Sequence, residues 1–85
     1  MTKSNLNKLE LLIIQRLKEK RKSLGLTYEK LADLSELHRT SISLIERGKI
    51  KPTLYVCLKI AEAMNLKIEN VISEARKSLN KNTNS

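Results

Sequence analysis

Arg39, Thr40, Ser43 and Leu44 recur at the spacing of one helix face, opposite Ile42 and Ile45. An arginine there can donate two parallel hydrogen bonds to guanine O6 and N7. Threonine and serine hydroxyls are short and can give or accept at a base edge, and a leucine in a groove can meet a thymine methyl. The face could therefore sort base pairs; its other use is simple solvation. Thr27 and Tyr28 open a preceding helix, where free backbone N–H groups and the helix dipole attract phosphate. Ser41, Arg47, Lys49 and Lys51 flank the same face and are candidates to hold a nucleic-acid backbone, with ordinary surface positions as the alternative.

Other chemistry finds little material. One histidine, His38, and one cysteine, Cys57, with scattered carboxylates, make no triad, metal set or phosphate loop, so no catalytic residue, metal or cofactor is expected. A single cysteine forms no internal disulfide and fits a reducing cytoplasm. Cys57 keeps helical spacing with Leu54, Leu58 and Ala61 and reads as a small apolar residue. Lys8, Glu10, Gln15 and Arg16 interrupt any signal-peptide core or membrane span, so no membrane partner is expected. The 17 Lys and Arg against 9 Asp and Glu leave +8 on 85 residues, which suits a polyanion, double-stranded DNA first. Single-stranded RNA is disfavoured, because Tyr28 and Tyr55 are the only aromatics available for stacking.

The elements that must position these residues are all helices. Leu9, Ile13, Leu17 and Leu24 mark a first helix from about Leu6 to Leu24, stopped by Gly25. Thr27 is a suitable N-cap for a second, Tyr28 to about Leu34, and the third spans about residues 39–47, closed by Gly48. Thr53 caps a fourth, marked by Leu54, Leu58, Ala61 and Met64, with Asn65 as its stop. Ile68, Val71, Ile72, Ala75 and Leu79 mark a fifth. The expectation is one all-α domain over residues 1–79, with 80–85 a disordered polar tail lacking an apolar anchor.

The second and third helices must cross closely at a sharp turn. Ala32 is the small residue such a crossing needs, and Leu31, Leu37, Ile42 and Ile45 point inward from both sides. Four residues after Ala32 the turn calls for positive φ, where glycine is favoured, yet the residue is Glu36, at a strain of about 1–2 kcal/mol.

On Arg21–Thr27, Leu31-Ala32, Leu37–Gly48, Pro52–Leu54 and Leu58–Ala61 the sequence resembles the Cro and phage-repressor helix-turn-helix family, also called XRE, over roughly Leu9 to Ile72. The resemblance implies a compact five-helix, lambda-repressor-like DNA-binding domain that regulates transcription. It implies that helix 39–47 lies in the major groove, with Arg39, Thr40, Ser43 and Leu44 at the bases. It also implies an ion pair between Arg21 and Glu46. The family usually has glutamine where Tyr28 stands, so the side-chain bridge to phosphate is altered here. More narrowly, the small size and Leu37–Ser43 look like restriction–modification controller proteins. In related phage repressors an acidic patch on the second helix touches RNA polymerase. Glu29, Asp33 and Glu36 are the matching carboxylates, with a solvated face as the alternative.

One short reading helix spans few base pairs, which a two-fold dimer remedies by reading two half-sites of a palindromic operator roughly 34 Å apart. The stripe Ile68, Val71, Ile72 and Ala75, with the end of the fourth helix, is the expected homodimer contact; intramolecular core is the alternative. A second functional class is an antitoxin-type protein that binds a toxin partner as well as DNA, although the short polar tail offers it little.

Overall fold

Five helices follow one another along the chain: α1 (Lys3–Ser23), α2 (Tyr28–Ser35), α3 (Arg39–Glu46), α4 (Leu54–Ala63) and α5 (Ile68–Thr83). The computed structural model describes residues 3–83, and no strand occurs among them. Threonine starts two helices. Thr27 Oγ1 accepts from the Lys30 N–H at 3.1 Å, and Thr53 Oγ1 from the Val56 N–H at 3.1 Å, each satisfying a donor that the first turn leaves unpaired.

The same device stops the first four. A residue in the left-handed region follows each helix: Gly25, Glu36, Gly48 and Asn65. The chain then folds back so that a backbone N–H reaches a carbonyl of the last turn, as from Leu26 to Arg21 at 3.0 Å and from Leu66 to Ala61 at 2.9 Å. Asparagine tolerates this conformation; glutamate, at φ 59°, is strained in it.

Two apolar clusters form the interior. The larger joins Ile14 and Leu17 of α1 to Leu31, Ala32, Ile42, Ile45, Ile60, Ala61 and Val71. The smaller sets Leu9 of α1 against Ala75 and Leu79 of α5. Three boundaries differ from the sequence reading. The first helix begins at Lys3 rather than Leu6. Leu24 lies just beyond its end and is 55% exposed, while Ile14 is a core residue. The backbone of 80–83 is helical, continuing from the buried Leu79, instead of a loose tail; residues 84 and 85 lie outside the described residues.

The fifth-helix stripe is also reassigned. Val71 and Ala75 are 2% and 0% exposed within one chain, so they have no surface to offer a second copy. The 21-residue α1 runs along α5 and covers the stripe, and Arg16 Nη2 to Glu74 Oε1 at 2.6 Å ties the two together. Ile68 packs partly on the larger cluster, and Ile72 is half-buried. Burying a valine side chain fully contributes about 1.5–3 kcal/mol, which the single chain already gains at Val71. No described helix is long and apolar enough to cross a membrane.

Candidate nucleic-acid interface

The α2–α3 crossing is built from Leu31, Ala32, Ile42 and Ile45, each buried, with Leu37 packed partly against them. The link turns at Glu36, and the Leu37 N–H reaches back to the Ala32 carbonyl at 3.1 Å. Ser35 is a core residue the sequence did not reveal. It is 4% exposed, and its hydroxyl donates to the Leu31 carbonyl at 2.6 Å, so a polar side chain sits at the crossing without an unpaired group.

On α3, Arg39 and Thr40 stand exposed at the N-terminal end. Ser41, Ser43 and Leu44 are half-buried. The sequence treats Leu44 as an exposed apolar residue; in the fold it is half-buried. Beyond the helix, Arg47 and Lys49 are exposed, and the Gly48 N–H closes the turn on the Ile45 carbonyl at 3.0 Å. Lys51 leans away: its Nζ lies 3.4 Å from Glu10 of α1.

Behind α3, Arg21 and Glu46 meet in a two-bond pair. Arg21 Nε donates to Glu46 Oε2 at 2.7 Å and Nη2 to Glu46 Oε1 at 2.9 Å. Nη1 donates to the Leu26 carbonyl at 2.8 Å, and the guanidinium lies 4.5 Å from the Tyr28 ring centroid. The side chains are 10% and 7% exposed, so α1, the α1–α2 turn and the end of α3 are pinned at one buried point. Glu46 raises the Arg21 guanidinium above its ordinary range, against the opposing effect of burial. Tyr28, the first residue of α2, packs its ring on Arg21 and against the larger cluster.

In front of α3, Arg39 Nη1 donates to Glu29 Oε1 of α2. Both side chains are exposed, at 66% and 58%. The Glu29 carboxyl is held below the usual carboxylate range by its own backbone N–H first and by Arg39 second. Glu29, Asp33 and Glu36 are all exposed; Glu29 is paired with Arg39, and Glu36 stands at the left-handed link between α2 and α3. Spacing along α2 does not reveal Glu29's partner, because the contact depends on the crossing angle.

Among the described residues no group of His, Cys, Asp and Glu could hold a metal ion. The Cys57 thiol is pushed up by burial and, less, by Glu10, away from a reactive thiolate. The arrangement can offer an arginine, short hydroxyls and flanking cations from one helix and its C-terminal end.

A family model described as helix-turn-helix matches residues 17–70. An HTH-type transcriptional regulator of Archaeoglobus fulgidus is 39% identical over 56 residues, which make up 66% of this chain and 79% of that protein. The HTH-type transcriptional regulator YgzD of Bacillus subtilis is 36% identical over 56 residues, covering 66% of this chain and 85% of its own length. Among solved structures, the restriction-modification controller protein C.AhdI from Aeromonas hydrophila superposes with a TM-score of 0.66 at 37% identity, over 72% of this chain and 94% of that one. The clp gene regulator ClgR from Corynebacterium glutamicum shares the fold, with a TM-score of 0.76 at 23% identity over 88% and 80% of the two chains. The matched segment contains all of α2 and α3 with the buried pair behind them, and the chain belongs to the helix-turn-helix family of DNA-binding transcriptional regulators.

Proposed function

We propose that the protein acts as a homodimer on a palindromic operator, each copy laying α3 in the major groove of one half-site. The observation that carries this reading is the exposed start of α3, Arg39 and Thr40, on a helix whose other end is locked by Arg21 and Glu46. Arg39 reads guanine, Thr40 and Ser43 meet base edges, and Leu44 meets a thymine methyl. The α2 N-terminus at Thr27 and Tyr28, with Ser41, Arg47 and Lys49, holds phosphates; Lys51 joins them by leaving Glu10. The site of action is then the cytoplasm.

The 37% identity to C.AhdI, over 94% of that controller, favours a controller of a restriction–modification system over other regulatory roles. Selection of bound duplexes from a random pool at fixed salt tests the reading. Two inverted half-sites roughly 34 Å apart support it. Recovery of a single asymmetric site, or no enrichment, contradicts it. Mapping the enriched sequence beside a methyltransferase or endonuclease gene tests the controller role.

A further inference from the structure

Val71 and Ala75 are buried inside one chain, which leaves only Ile68 and Ile72 of the α5 stripe partly exposed. Among the described residues eight large apolar side chains are exposed, and three of them gather on one side: Tyr55 and Leu58 of α4, and Leu34 at the end of α2; Leu54 lines another groove with Leu6 and Pro52. Tyr55 and Leu58 line a shallow groove of about 320 Å³ with Leu34. Tyr55, 67% exposed, forms one wall of that groove.

We propose that this α4–α2 face is where a second copy of the chain docks, α4 packing antiparallel on α4 about a two-fold axis. The proposal rests on the homodimer reading above and names its interface. Three observations favour a second copy over another occupant. Elsewhere the chain is strongly basic, with +8 in all, but this face sets one cation, Lys59, against two carboxylates, Glu36 and Glu62. A like-charged copy can approach there, whereas DNA finds little to hold. Lys59 and Glu62 lie three residues apart on the same edge of α4, so an antiparallel copy brings each lysine opposite the partner's carboxylate twice, as an isologous contact requires. A groove with a projecting tyrosine beside it is also self-complementary, ring into groove on both sides. A standard interface covers about 800 Å² per partner, roughly one seventh of this chain's 5834 Å² surface, an extent that one helix face and an adjoining helix end can supply.

Mass in solution by sedimentation equilibrium on the full chain tests it, with helicity and melting temperature checked for every variant. The wild type is expected to be a dimer. Leu58→Glu and Tyr55→Glu are expected to weaken it by at least about thirtyfold, the loss typical of a central anchor residue. Leu11→Glu, at an exposed leucine of α1, is expected to leave it intact. A wild-type dimer that survives both α4 variants overturns this interface and leaves the homodimer reading standing. A wild type that stays monomeric at all concentrations, also when bound to its selected duplex, overturns both and turns the face to a different protein. Should the apolar variants not fold, charge reversal decides: Lys59→Glu weakens the dimer and the added Glu62→Lys restores it, and absence of restoration overturns the antiparallel arrangement.

Discussion

Two arginine–glutamate pairs bracket α3, one behind it and one in front. Arg21 and Glu46 are 10% and 7% exposed, with two bonds between them and a third from Arg21 to the chain; Arg39 and Glu29 are 66% and 58% exposed and share one bond. The groups are chemically identical, and position separates their roles. Behind the helix, charges taken from water must stay paired, so losing one partner leaves the other stranded at a cost of about 3–5 kcal/mol. In front, water screens the pair, so it holds its two groups far less tightly. The rear pair ties α3 to α1; the front pair joins α3 to α2 at the surface.

The contrast is open to direct attack. Glu46→Ala should lower the unfolding free energy by about 3–5 kcal/mol, seen as a large drop in Tm. A loss below about 1 kcal/mol would make the rear pair an ordinary surface contact. Replacing Arg39 with alanine should leave Tm within experimental scatter and remove about 1–3 kcal/mol of base discrimination. Glu36→Gly relieves the left-handed glutamate and should raise stability by about 1 kcal/mol; an unchanged or lower Tm would contradict the strain at the link.

Smaller effects come from the exposed pairs. Glu29→Gln should leave Tm nearly unchanged, yet tighten binding to random duplex by removing one repulsive charge. If Tm falls as far as for Glu46→Ala, the front pair is structural. Glu74, held low first by its hydrogen bond from Arg16, should give the smallest signal. A carboxyl lowered in the fold adds stability above its unfolded value, near 4.5, which is lost as pH falls through the folded value. Acid titration of Glu74→Gln should therefore run parallel to wild type above about pH 5 and show a slightly shallower decline below it.

Much of α2 and α3 was legible because a close crossing constrains residue size and phase. Ala32 had to be small, and Leu31, Ile42 and Ile45 had to point inward at helical spacing. Thr27 and Thr53 were legible as caps because their role is local. What was not legible needs the third dimension. The stripe on α5 is plainly amphipathic, but periodicity does not say which surface covers it, and α1 does so at Val71 and Ala75. Leu24 kept the spacing of a core position while lying past the helix end. Glu29 kept the spacing of an acidic face, and its contact with Arg39 arises only where α2 and α3 cross. The outward side of α4 is not legible because Leu54 and Leu58 keep helical spacing with Ala61 and Met64, and only the fold leaves them uncovered.

The central claim is that Arg39, presented by α3, reads a base. Its most direct test is the sequence profile selected by Arg39→Ala beside that of the wild type, at the same salt. The account predicts that guanine preference disappears at one position in each half-site, symmetrically, while the rest of the profile and the fold are unchanged. Uniformly weaker binding with the profile intact would place Arg39 on the phosphate backbone and contradict it.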